Sequence, residues 1–200
     1  MRFKSILLIA LLTVLVASLS FAGDKYEIDV VHSTIGFSAR HLVISNTRGV
    51  FKDFSGVIIL DENDISKSLV NVTIKAASLS TDNERRDGHV KSADFLDVEN
   101  HPEITFKSKS IAKVSDGYTV TGDLTIRGTT REVTFPFTLV GPVNAMGGTR
   151  LGAEATLTIN RQDFGVSWSK TLDNGGLVVS NEIKLTLEVE AIKVKEEGTN

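Results

Sequence analysis

GYTVTGDLTIRGTTREVTFPFTL, residues 117–139, decides the fold. Tyr118, Val120, Leu124 and Ile126 alternate with Thr119, Thr121, Asp123, Thr125 and Arg127. After a short turn at Arg127–Thr130, Val133, Phe135, Phe137 and Leu139 alternate with Glu132, Thr134 and Thr138. Successive side chains on a strand point to opposite faces, so a period of two with one apolar set describes two half-buried strands joined by a tight turn.

The same pattern recurs outward from this hairpin. Val70, Val72, Ile74 and Ala76 share one face, as do Leu151, Ala153, Ala155, Leu157 and Ile159, and then Ile183, Leu185, Leu187, Val189 and Ala191. Less regular strands are expected around Tyr26, over Ile35–Leu42, over Val50–Leu60 and over Ile104–Val114. The count comes to about eight or nine. Turn signals at Ser115–Gly117 and in a loop from Gly141 to Gly148 separate them. Short strands with one apolar face and tight turns indicate an all-β antiparallel sandwich or barrel. No repeat or linker divides the chain, which reads as one domain large enough to bury its own core.

One segment breaks the alternation. Between Leu79 and Ile104, Thr81 and Glu84 stand at the spacing of a capping box, which predicts a short helix on a crossover of roughly 20 residues, long for a connection in a compact domain. This crossover holds Arg85, Arg86, Asp87 and His89 within a few residues.

At the amino terminus, Arg2 and Lys4 precede an apolar run over Ile6–Val16 that ends in small residues, Ser20 and Ala22 among them. This is the pattern of a signal peptide, 1–22, with the mature domain at 23–200. The run is shorter than the ~20 residues that span a bilayer. The chain has no cysteine and a formal net charge of −3. It therefore folds without disulfides, and losing Arg2 and Lys4 makes it more acidic, against nucleic-acid binding by phosphate neutralisation.

Catalytic and metal motifs are sparse. Gly-x-Ser-x-Gly does not occur, and His32 and Ser33 are adjacent, so on a strand they would face opposite ways. His32, His41, His89 and His101 show no paired metal-ligand spacing. Asp87 and His89 together would suit acid-base or metal-assisted chemistry only if the backbone between them were extended. Phe37, Phe51, Phe54, Phe95, Phe106, Phe135, Phe137, Phe164 and Trp168, joined by Ile74, either fill a core or line a cavity. An eight-stranded closed sheet is near the size at which either occurs.

Taken in order, several motifs resemble the YceI-like, polyisoprenoid-binding family: Tyr26-x-Ile28-Asp29 with His32-Ser33, then Phe37, His41 and Gly49-x-Phe51-x-x-Phe54-x-Gly56. The likeness continues through Ser78–Thr81, Arg86–Asp97, Pro102-x-x-Thr105-Phe106-x-Ser108, Thr121–Thr130 and Arg161-x-Asp163-Phe164-Gly165. Val90, His101 and the doubled basic residue at Arg85 depart from the pattern. The resemblance implies an extended lipocalin-like antiparallel barrel of about eight strands with a short helical crossover. It implies export to the periplasm or secretion, and an apolar channel holding a polyisoprenoid or similar long-chain lipid. That is a binding protein, not an enzyme, with no cofactor or metal.

On this reading the ten apolar side chains named above contact the tail, and Arg86, Arg85, His89 and His41 are candidates for the head group. The alternatives are an exported enzyme using the Asp87 and His89 region, and a packed barrel whose rim binds another protein. Transient membrane contact and a homodimer stay open.

Overall fold

The structure, a computed structural model, describes residues 23–195 except 174. Residues 1–22, expected from the sequence to be a signal peptide, lie outside the described residues. In chain order the elements are β1 (Asp24–Ile28), β2 (Thr34–His41), β3 (Ser45–Phe51), β4 (Phe54–Leu60), β5 (Leu69–Lys75), β6 (Leu79–Ser80), α1 (Glu84–Lys91), β7 (Glu103–Val114), β8 (Gly117–Ile126), β9 (Thr129–Ala145), β10 (Gly148–Asn160) and β11 (Val179–Lys193).

The register shows that six of these strands are halves of three bent ones. β1 and β2 flank a 3-10 turn at Val30–His32, β5 and β6 flank another at Ala76–Ser78, and only Lys52 and Asp53 separate β3 from β4. Tyr26 pairs with Ile58 and Ile35 with Phe51, so one antiparallel ladder continues across the first bend. Phe54 pairs with Ile74 and Val50 with Ser80 across the second. β7 to β11 follow as a meander. The last strand then closes on the first: β11 pairs with β2 through Leu185↔Phe37 and with β1 through Tyr26↔Lys193. The result is a closed, up-and-down antiparallel barrel of eight strands, the architecture of lipocalins. Closure pairs the strands all round and removes the free edges that an open sheet would expose.

The five strongly alternating segments are strands, with their apolar sets inward. Four details differ from the sequence reading. Ala76 does not continue its strand; it lies in a 3-10 turn, 1% exposed. The Val50–Leu60 segment bends at Lys52–Asp53. The Gly141–Gly148 loop is mostly strand, because β9 runs on through Gly141 and Pro142 to Ala145 and turns only at Met146–Gly147. The helix cap is Asn83, whose side chain accepts a hydrogen bond from Arg86 N, so Thr81 is free for another task.

One barrel end is plugged. Tyr26, Ile58, Leu60, Leu151 and Ala191 are buried there, and Ile65, on a 3-10 turn after β4, packs on them. The opposite end carries the β2–β3 turn, the 81–102 crossover, the Arg127–Gly128 turn and the 161–178 connection. Arg127 ties its own turn to two of these: Nη2 donates to the carbonyl of Ala93 on the crossover (2.8 Å), and Nη1 donates to that of Gly165.

Candidate functional site

The barrel encloses a cavity of about 410 Å³ whose wall is almost wholly apolar. Two sequence features keep it open. Inward positions on β2 and β10 carry Ala39, Ala153 and Ala155 where larger aliphatics would fill the lumen. Two phenylalanine rings also lie against the wall: Phe37 packs on Gly49, its partner on β3, and Phe106 covers Gly122 on β8. A Cβ at Gly122 would meet the Phe106 ring at 2.6 Å, so these glycines are sockets for the rings. Phe106 also packs against Phe135 at 5.4 Å between centroids.

Of the expected tail residues, Phe37, Phe51, Ile74, Phe95, Phe106, Phe135, Phe137, Phe164 and Trp168 line the cavity. Phe54 does not. It is 5% exposed, packed in the core cluster beside the Lys52–Asp53 bend, and so supports the wall from within the protein. The wall also includes Ile183, Leu185 and Leu187 of β11, which alternation had placed inward without marking them as ligand contacts.

Polar lining is concentrated at the crossover end: His41, Thr47, Thr81, Arg86, His89 and Arg161. Arg85 is turned out to the surface, where it flanks a shallow depression with Asn83, Arg86 and His89. Thr81, buried at the start of the crossover, organises its neighbours. Its amide N–H and hydroxyl both donate to Asp87 Oδ1, at 2.8 and 2.5 Å. Arg86 Nε donates to the Thr81 hydroxyl oxygen at 2.7 Å, and Nη2 donates to the Thr81 carbonyl at 2.8 Å. The Thr81 hydroxyl bond, with the amide bond and nearby Lys91 and Arg86 adding to it, holds the Asp87 carboxyl below its ordinary pKa.

Asp87 and His89 do not form a joint site. His89 Nε2 instead meets Asp94 Oδ2 at 3.0 Å, and its ring stands edge-on to Phe95 and Trp168, with centroids at 5.0 and 5.3 Å. The Asp87–His89 pairing that acid-base or metal chemistry would require is therefore missing from the geometry.

A separate cluster lies on the barrel wall. Asp29, His32 and Glu190 bring one ligand atom each within 4.8 Å of one another. Asp29 Oδ2 meets His32 Nδ1 at 2.8 Å, and Arg150 Nη1 bonds both carboxylates. The guanidinium thus already supplies the positive charge between them. Ser33 uses its hydroxyl on the main chain of Glu190 and makes no bond to His32.

Arg161 is the residue that sequence reasoning missed. It was visible inside the Arg161-x-Asp163-Phe164-Gly165 motif, but nothing local signalled that the chain would fold it under the crossover. It is 4% exposed and its guanidinium carbon lies 5.9 Å from the Phe95 ring centroid.

A closed eight-stranded barrel with an apolar lumen, one plugged end and a polar rim defines the lipocalin-like class of fold. The YceI-like domain family matches residues 26–191, and the chain belongs to that family. It is 41% identical over 182 residues to a UPF0312 protein of Serratia proteamaculans, covering 90% of this chain and 91% of that one. It is 37% identical over 195 residues to Protein YceI of Salmonella newport, covering 96% and 99%.

Among solved structures, a Campylobacter jejuni YceI protein superposes with a TM-score of 0.68 at 33% identity, covering 78% of this chain and 90% of that one. BcnA of Burkholderia cenocepacia gives 0.70 at 27% identity, covering 82% and 98%. A polyisoprenoid-binding domain of Saccharophagus degradans shares the fold, with a TM-score of 0.61 at 14% identity, covering 84% and 98%.

Proposed function

We propose that the protein binds and carries a long-chain lipid, a polyisoprenoid or a molecule of similar shape, after export to the periplasm or the cell exterior. The observation that carries this reading is the cavity itself: about 410 Å³, almost wholly apolar along the barrel, with its polar lining concentrated at the crossover end. Burying apolar surface contributes roughly 25 cal/mol per Å², so such a lumen retains a hydrocarbon chain without directed contacts along its length. The tail would lie among Phe37, Phe106, Phe135 and the β11 aliphatics. The head would sit among His41, Arg86 and His89. Family membership supports the reading, as does the shared fold with a domain that binds polyisoprenoid.

Transfer of the lipid would take place at the rim. Val43 and Ile44, on the β2–β3 turn just beyond His41, are 52% and 77% exposed, which suits brief contact with a bilayer. Binding rather than catalysis is favoured because Asp87 is committed to Thr81, and His89 to Asp94 and its aromatic neighbours.

A titration tests this directly. A long-chain fluorescent probe added to delipidated protein should accept excitation energy from Trp168, the only tryptophan, with saturation at one probe per chain. A signal that rises without saturating would mean surface adsorption and would sink the proposal.

A further inference from the structure

Arg161 is buried, yet every group it bonds is neutral. Nε donates to the carbonyl of Ser180 at 3.0 Å, Nη1 to the carbonyl of Val166 at 2.6 Å, and Nη2 to Asn181 Oδ1 at 3.1 Å. A guanidinium has two N–H groups on each terminal nitrogen, so one on each remains beyond these bonds. Among the described residues no carboxylate stands within ion-pair distance of it. Arg150 is the contrast, more exposed and still held between Asp29 and Glu190.

Bridging carbonyl oxygens requires donors, not a positive charge, and a buried charge is costly unless an opposite charge meets it. Burial lowers the guanidinium's hold on its proton, although arginine stays charged. The π face of Phe95 offsets only part of that cost. The charge also borders an otherwise apolar lumen, where screening by water is weak and an anion would be attracted strongly.

We propose that Arg161 is the anion-binding residue of the cavity, and that the native ligand is an acidic amphiphile whose carboxylate or phosphate head is drawn inside the barrel end against it. The proposal rests on the lipid-carrier reading and narrows it: a neutral alcohol or quinone would leave the buried cation uncompensated. Arg86 and His89 stand at the same end, nearer the surface, and would meet the head as it enters.

Farnesol, farnesoic acid and farnesyl monophosphate share one chain and differ in head charge. Each is used to displace a fluorescent long-chain probe from delipidated protein, with inorganic phosphate as a fourth competitor. Both acids should bind at least ~10-fold tighter than the alcohol, the range expected for a charge-assisted bond. Inorganic phosphate should displace nothing. Arg161→Gln should abolish the preference by weakening both acids, whereas Arg161→Lys, which keeps the charge, should keep it.

Equal affinity of the wild type for all three chains overturns the proposal, as does a preference that survives Arg161→Gln. Displacement by inorganic phosphate alone would mean a free-anion site and overturns the amphiphile assignment. Should Arg161→Gln fail to fold by circular dichroism, the wild-type ranking and Arg161→Lys decide, and loss of the preference in Arg161→Lys counts against it. Binding of none of the three chains would remove the lipid-carrier reading itself.

Discussion

The ring of Phe37 occupies the space where any other residue at position 49 would carry its Cβ, which would stand 2.7 Å from Phe37 Cε1 and 2.8 Å from the Ser80 carbonyl oxygen. Gly49 therefore parks the ring against the wall and keeps the lumen clear. Gly49→Ala should push Phe37 inward and strain the strand, lowering stability by about 1–3 kcal/mol in urea unfolding. It should also weaken binding of the longest chains first. Unchanged stability and binding would mean that the ring has another resting place.

Phe106 presents the same arrangement from the other side, resting on Gly122 and against Phe135. Phe106→Trp adds ring volume that the socket cannot take, so the excess must enter the cavity. Mass spectrometry of the lipid bound to the variant should show a shorter chain than the wild type carries. Loss of stability with no change in bound lipid would instead describe a packed core.

Asp87 makes the crossover sensitive to acid. Its folded-state pKa is depressed by the Thr81 hydrogen bonds, so its contribution is complete above the unfolded carboxylate range and is lost as pH falls through the lower folded value. Trp168 sits beside His89 and Phe95 and reports on the crossover. Its fluorescence should change in a step below the usual carboxylate range near pH 3.9. Asp87→Asn should abolish that step, and a step persisting in the variant would assign it to another group.

Arg127 holds two elements of the rim through main-chain carbonyls, Ala93 on one side and Gly165 on the other. Arg127→Ala should loosen both at once. Bonds to a charged donor contribute roughly 1.5–3 kcal/mol when well made, so amide exchange in 92–98 and 162–168 should speed up by about 10-fold or more while the barrel strands stay protected. Faster exchange in only one of the two segments would show that they are not coupled.

The barrel was legible because period-two alternation is a local signal. Val133, Phe135, Phe137 and Leu139 announce a face before any partner is known. Closure was not local: it depends on β11 reaching both β1 and β2, through pairs far apart in sequence such as Leu185↔Phe37. The bends at Val30–His32, Lys52–Asp53 and Ala76–Ser78 were read as strand ends or missed because a short 3-10 turn resembles a loop in sequence.

At the site, the phenylalanines stood out in the sequence as a group that fills or lines the interior, but alternation cannot say whether a ring points across the lumen, lies over a glycine or, like Phe54, packs outside the cavity. Thr81 was read as the helix cap because its spacing to Glu84 fits a capping box, and Asn83 took that role. Arg161 was invisible as a site because its burial is produced by the fold-over of the 161–178 connection beneath Phe95.

The central claim is that the barrel holds a chain-like lipid in its lumen. The most direct measurement is organic-solvent extraction of protein purified under native conditions, followed by mass spectrometry of the extract and of the intact protein. A single long-chain amphiphile per barrel, lost or shortened in Phe106→Trp, is the expected result. Repeated recovery of empty wild-type protein that also fails to take up added long-chain lipid would contradict it.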